Sequence, residues 1–405
     1  NCNSIAVLAV TASAVFSSMT LLSSCSKDDE VYQEASQSTA QPTVNENPLI
    51  SDMLYAETDL RAGLVKASRW NTGEIIRVKF IGGNDYLRLK VKKYMYEWTC
   101  YANLNFVFVP SNENATIRIR FDNSNQSYSY VGTDCKYITD QNTPTVNFGW
   151  FNNNTPEDEF QRVIRHEIGH VLGLIHEHQT PAANIQWNTA VVYKWGRETQ
   201  GWSDATTYTN IIEKYTATET NYSSFDRLSI MTYGIPSNWT TNNVSVPSNN
   251  KLSSTDKSYI GQWYPYGNTK RLFRCWIPSM QDHFYTTSFD ELFASNVSDC
   301  IEIDMGRVYT QQVSGTTPLY RYWNPKIQDH FYTTYYSELG SGKMDYVYEG
   351  VVGYVYNGPR SNCMPIYRYW NPSAGDHFYT NNYSELGSGK LGYVYEGIGF
   401  YLLNN

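Results

Sequence analysis

The chain has 405 residues, 41% of them hydrophobic and 17% charged, with a net charge of -8. It is therefore globular in composition, longer than one compact core usually serves, and without the basic excess of a nucleic-acid binder. Its 35 tyrosines suit a β-rich extracellular protein better than a cytosolic enzyme. From Ile5 to Leu22 the residues are apolar or small and uncharged, and Leu22-Ser23-Ser24-Cys25 follows. That pattern predicts a signal peptide over residues 1–25. The stretch is short for a spanning helix and lacks a flanking basic stop. Residues 26–69 are polar and aperiodic, which predicts a tether with a short propeptide.

A catalytic-type domain is predicted over 70–266, built as an α/β layer. Ile75–Phe80 reads as a strand. In Asp85–Trp98, Leu87, Val91, Tyr94 or Met95, and Trp98 share one helical face, with lysines and arginines on the other. Strands are expected at Asn105–Val109 and Thr116–Phe121, where Ile117, Ile119 and Phe121 alternate with Arg118 and Arg120, predicting one wet face. Thr155-Pro156-Glu157-Asp158-Glu159 is a helix start, with Thr to cap and acids for the positive end of the dipole.

On that helix lies His166-Glu167-Ile168-Gly169-His170-Val171-Leu172-Gly173-Leu174-Ile175-His176. Two histidines four apart project almost in line, since about 3.6 residues make one turn. Gly173 can take the left-handed conformation that ends the helix and returns His176 as a third ligand. Three neutral imidazoles make an open zinc site, with Zn2+ the expected cofactor, and Glu167 is placed to act as general base. A structural zinc site would add a protein fourth ligand, usually Cys, and no Cys lies near. His178 is spare, expected to support a ligand or face solvent. Cys100 and Cys135 are a candidate disulfide pair.

From 267 to 405 the chain repeats every 47 residues. Asp282-His283-Phe284-Tyr285-Thr286 recurs at Asp329–Thr333 and at Asp376–Thr380, and so do Arg274, Arg321 and Arg368. Three all-β units of about four strands each, closing on a threefold axis, predict a β-trefoil; an open array is the alternative. Each Asp-His pair is expected to bond within its own repeat. The repeated aromatics read first as core and second as a platform for sugar rings.

Several stretches resemble known families. Leu22–Cys25 resembles a bacterial lipobox, and Ser26-Lys27-Asp28-Asp29-Glu30 resembles a surface-export signal. The resemblance implies acylation at Cys25 and residence at the bacterial cell surface or outer membrane, with release as an alternative. The zinc motif, with Ser229-Ile230-Met231-Thr232-Tyr233, resembles the metzincins and within them the astacins, over about Trp70 to Pro265. It implies an α+β zinc peptidase with a methionine beneath the metal and Tyr233 as oxyanion stabiliser or zinc ligand. Protein substrates would pair with an edge strand at Ser127-Tyr128-Ser129-Tyr130-Val131-Gly132. The chain departs from astacins at Thr232, and at Gln179-Thr180-Pro181-Ala182-Ala183, which puts in doubt the role of Glu177 as partner of a buried N-terminus. Asp52 or Asp59 is a candidate zinc plug, and Arg69-Trp70 a candidate activation junction. The rival readings are a glycan-binding surface adhesin with an incidental protease fold and a zinc amidase.

Overall fold

The computed structural model describes residues 52–54, 68–215, 224–294 and 301–404. The apolar leader, Cys25, Asp59 and Cys300 lie outside them. The chain divides into two compact units, one ending at Tyr266 and one starting at Gly267. No helix among the described residues is long and apolar enough to cross a membrane.

The first unit is α+β. Strands β1 (Asp52–Leu54), β2 (Ile75–Ile81), β3 (Asn105–Phe108), β4 (Ile117–Arg120), β5 (Ser127–Tyr130) and β6 (Val146–Phe148) form a sheet in the order β1-β5-β6-β4-β2-β3. β2 pairs in parallel with β3 and β4, and β4 with β6, while β5 runs antiparallel to β6. Helix α1 (Asp85–Thr99) starts at Asn84, whose side chain accepts from the Leu87 amide. Helix α2 (Glu157–Val171) starts at Pro156 without a side-chain cap. Thr155, expected to cap it, instead accepts from the Asn152 amide.

Two expectations about charge are corrected. Lys90 and Lys93 of α1 are buried, because Glu157 of α2 takes both ammonium groups, at 2.8 and 3.1 Å. Arg118 is buried as well, its guanidinium satisfied by the carbonyls of Ala115, Thr116, Ile138 and Thr143. Loops cover the face of β4 that alternation predicts to be wet. A charged side chain can be internal when partners meet all its donors. The predicted Cys100–Cys135 bridge does not form: Cys100 Sγ faces Tyr96 O, and Cys135 Sγ faces Gly132 O.

Helices α1 and α2 are joined by a buried ion pair, Arg165 Nε to Glu97 Oε2 at 2.6 Å, and Trp98 Nε1 donates to Arg165 O. Glu97→Ala takes the carboxylate from that guanidinium, which keeps Asn250 O and the Tyr94 ring. The expected loss is about 3–5 kcal/mol, visible in calorimetry as a fall of roughly 10 °C in the midpoint of this unit.

The second unit is all antiparallel β among its described strands, with three per repeat rather than about four. They are β7 (Thr269–Ile277), β8 (Asp282–Thr286) and β9 (Ile301–Tyr309); β10 (Thr317–Asn324), β11 (Asp329–Thr333) and β12 (Val347–Val355); and β13 (Cys363–Asn371), β14 (Asp376–Thr380) and β15 (Val394–Leu403). In each repeat the first strand lies between the other two. One core is shared by all three, with Leu272, Leu319 and Ile366 in equivalent places.

The repeats close on one another through side chains. The Asp-His pairs run between repeats, not within them: Asp282 to His330 at 2.5 Å, Asp329 to His377 at 2.6 Å and Asp376 to His283 at 2.7 Å. The hydroxyl of Tyr332 donates to Tyr285 O, that of Tyr379 to Tyr332 O and that of Tyr285 to Tyr379 O. Arg321 meets Glu291, Arg368 meets Glu338, and Arg274 meets Glu385. Each cycle returns from the third repeat to the first, so the array is closed rather than open.

Candidate metal centre

Helix α2 carries His166 and His170 one turn apart, and Gly173, at φ +94°, ends it. The amide of Gly173 then bonds His170 O and that of Leu174 bonds Gly169 O, a tight reversal that brings His176 back to the other two. His170 Nε2 lies 3.1 Å from His166 Nε2 and 3.3 Å from His176 Nε2. Each Nδ1 faces an oxygen instead: Ile230 O at 2.8 Å, Leu174 O at 2.8 Å and Gln179 Oε1 at 3.0 Å respectively for His166, His170 and His176. With the proton on Nδ1, each Nε2 presents a lone pair to one common point.

The donor set fits zinc. Ligands at about 2.0–2.1 Å in tetrahedral directions lie roughly 3.3 Å apart, close to the observed spacings. Three inward lone pairs at this distance repel unless a cation lies between them. Burial pulls the His166 pKa from its usual 6.5 to about 4, and those of His170 and His176 well below 6.5, so the three imidazoles are neutral and ligand-ready near pH 7.

Glu167 is fully buried, and its Oε2 accepts from Ser129 Oγ on β5 at 2.6 Å. β5, expected to be an edge strand but flanked here by β1 and β6, thus holds the carboxylate directly. Met231 packs against the metal helix: a β-carbon on Gly169 would collide with its Sδ, so a larger residue at that position would push Met231 aside. The turn carrying Met231 is pinned by Asp256, which accepts from Ser229 Oγ at 2.6 Å and the Ile230 amide at 2.8 Å. Asp256 belongs to helix α3 (Ser254–Trp263), where it completes a capping box with Ser253.

Tyr233 is buried with its ring against His176, centroids 4.3 Å apart, and near His166 at 5.6 Å. His178 is buried rather than solvent-facing. It stacks on His176 and Tyr233 and faces Asn210 O, and burial pulls its pKa to about 3. Glu177 accepts from the Asp226 amide at 3.0 Å, and its own amide donates to Met231 O. It ties the third-ligand segment to the methionine turn. Burial, with Asp256 and Asp226 nearby, pushes its carboxyl up to about 7.

Motif spacing misses three contributors. Ser129 stands in the quoted edge strand, but only the packing of β5 on α2 aims its hydroxyl at Glu167. Gln179 belongs to the stretch that departs from the astacin pattern, and its spacing of three from His176 is the one available signal. Ile230 contributes only its backbone oxygen, which no side-chain pattern can report. Arg69-Trp70, the candidate junction, lies inside a packed segment. Trp70 is buried, its Nε1 donates to Val171 O at 2.7 Å, and Arg69 Nη2 bonds Trp263 O.

Residues 83–192 match the family described as Matrixin, and residues 271–403 match a domain of unknown function, DUF5648. Two solved structures of myroilysin are 43% and 40% identical. The first covers 50% of this chain and 98% of its own, at TM-score 0.49; the second covers 53% and 90%, at 0.42. High choriolytic enzyme 1, a hatching-enzyme zinc protease of the medaka fish Oryzias latipes, is 17% identical over 49% of this chain and 95% of its own, at TM-score 0.36. No curated protein matches. The fold and motif define a zinc endopeptidase of the metzincin type. With 43% identity over nearly the whole of myroilysin, the chain belongs to the metzincin-type zinc proteases.

Proposed function

We propose that the protein is an astacin-like zinc endopeptidase that hydrolyses internal peptide bonds of extracellular proteins. The convergence of three buried, neutral Nε2 atoms on one point beside Glu167 carries this reading. His166, His170 and His176 would hold the metal. A zinc ion there supplies a Lewis acid for the scissile carbonyl and lowers the pKa of water to about 7. Glu167 takes a proton from the attacking water and delivers it to the leaving amine nitrogen. Ser129 keeps the carboxylate oriented between these two transfers. Tyr233, wedged against His176, is assigned to the developing oxyanion.

Extended substrate needs an exposed strand edge. β1 supports β5 in that role, because Asp52, Met53 and Leu54 pair in parallel with Tyr128, Ser129 and Tyr130. β1 occupies the outer edge of β5 in this structure, and a peptide substrate would take that place, next to the residue that holds Glu167, once β1 leaves it.

The repeat unit is read as a binding module of β-trefoil type, supported by its threefold closure. Ring clusters at Tyr320, Tyr336 and Tyr348, and again at Tyr367, Tyr383 and Tyr395, are partly exposed and suit stacking on sugar rings. Cys25 would anchor the chain to a membrane by lipid. An adhesin with an inert protease fold has no chemical need for Glu167, which argues against that rival.

The test is zinc content and casein cleavage by the full chain, with and without chelator. One zinc per chain and chelator-sensitive cleavage restored by zinc are expected. Metal-free, correctly folded protein, or cleavage indifferent to chelation, would refute the reading.

A further inference from the structure

Two turns of the repeat unit break a local rule in the same way. Lys343 O accepts from the Tyr346 amide at 3.0 Å, and Lys390 O from the Tyr393 amide at 2.9 Å. In the first turn Met344 and Asp345 lie at φ +51° and +67°, and in the second Leu391 and Gly392 lie at φ +54° and +86°. Both are therefore type I′ turns, which favour Asn-Gly. A long apolar side chain in the left-handed region is an outlier that costs free energy on folding. Packing does not offset that cost, because Met344 is 73% exposed and Leu391 85%. Positions 344 and 391 are one 47-residue period apart, so the same unfavourable choice occurs twice. Strain kept at an exposed position points to a use outside the fold.

The two turns belong to one end of the unit. Asn324, at the end of β10, donates through Nδ2 to Met344 O at 3.1 Å, and Lys326 meets Asp345 at 2.8 Å. Ile327, in the same connection, lies against the backbone of Gly375, where an added β-carbon would stand 3.4 Å from its own. The Gly375 amide bonds Asn371 O at 2.8 Å, and Asn371 Nδ2 donates to Leu391 O at 3.3 Å. Ile327 is exposed too, as are Val347 and Val394, three residues past each tip. This apolar patch carries charge of one dominant sign. Residues 324–328, 343–347, 371–375 and 390–394 hold Lys326, Lys343 and Lys390 against one acid, Asp345, an excess of two positive charges in a chain of net charge -8.

We propose that this end of the repeat unit docks on a lipid bilayer containing anionic headgroups, with Met344 and Leu391 entering the acyl boundary and the lysines meeting the headgroup phosphates. The side chains suit that partner and not a sugar. Met and Leu have no ring face to stack, and they project from turns rather than lining a cleft. A fluid surface takes up such tips without a shaped counterpart. Lysine can lay its stem along the apolar layer while its ammonium stays among the headgroups. Each lysine near an anionic surface adds attraction that salt screens. The contact needs neither zinc nor Glu167, so it stands apart from the peptidase reading.

The test uses the full chain with Leu391→Trp as a local reporter, read as emission over that of the parent so that binding elsewhere in the chain is subtracted. With vesicles of phosphatidylcholine and an equal amount of phosphatidylglycerol, the reporter should shift to the blue and be quenched by brominated acyl chains. Vesicles of phosphatidylcholine alone should bind more weakly. In the same background, Met344→Asn should lower the apparent affinity by about 10-fold or more, the loss of one buried apolar side chain. Lys343→Gln should lower it by about 5-fold, and only for the anionic vesicles. Asparagine accepts the left-handed region, so the thermal midpoint of Met344→Asn should hold or rise while docking weakens. No shift or quenching with anionic vesicles, equal binding to both kinds of vesicle, or unchanged affinity in Met344→Asn would each overturn the proposal. So would a blue shift that grows with protein concentration in the absence of lipid, which would assign the patch to a second copy of the chain.

Discussion

Glu167→Ala is expected to reduce peptide hydrolysis by about 10²–10⁴-fold, the usual contribution of a general acid-base group, while zinc content stays at the wild-type value. The separation follows from geometry. Glu167 lies next to His166 on α2, and its Oε2 accepts from Ser129 Oγ at 2.6 Å. The three histidines keep their own anchors at Ile230 O, Leu174 O and Gln179 Oε1. Alanine removes the proton carrier without disturbing any of them. Zinc measured by elemental analysis, with turnover of a quenched peptide, decides the point. Joint loss of metal and activity would make Glu167 structural, and unchanged turnover would remove it from the reaction.

His170→Ala acts on the metal itself. His170 is the middle ligand, within 3.3 Å of both other Nε2 atoms, so its loss opens the set on two sides. The fall in zinc affinity should exceed the roughly 10–100-fold that outer partners of metal ligands typically contribute. The zinc-dependent gain in thermal midpoint should disappear, since that gain is a binding free energy for the folded state. Acid should do reversibly what the mutation does permanently. The folded pKa of His166, about 4, lies below its usual 6.5, so the unfolded chain binds more protons between those values. Stability and metal retention are then complete above about pH 6.5 and decline as pH falls toward 4. Zinc retained after dialysis at pH 7 and at pH 5 measures this. Equal retention at both, or full zinc occupancy in His170→Ala, would mean that the metal is held elsewhere.

The legible part of the site was the part carried by one helix and one turn. His166, Glu167 and His170 are related by helical periodicity alone, and Gly173 marks where the helix must stop. The threefold repeat was equally plain, because a 47-residue period shows without knowledge of contacts. What was misread has a common cause. Lys90, Lys93 and Arg118 looked solvent-facing because a charge has no stable place in a core until partners are brought to it. Those partners, Glu157 and four loop carbonyls, come from other elements. The Asp-His pairs were assigned to single repeats for the same reason: adjacency in sequence suggested a local bond, but closure of the ring gives each Asp the histidine of another repeat.

The amino-acid sequence by itself marked the candidate ligand set and candidate base, which rest on spacing within one short segment, and the periodicity of the second unit, which shows as recurring residues. Only the tertiary structure decided that Ser129 holds Glu167, that Gln179 and Ile230 O orient the imidazoles, that Met231 occupies the space Gly169 leaves, and that Asp134 faces Ser68. Except for Gln179 and His176, three positions apart, those pairings join residues dozens of positions apart. Their energies exist only after packing has excluded water and brought donor to acceptor.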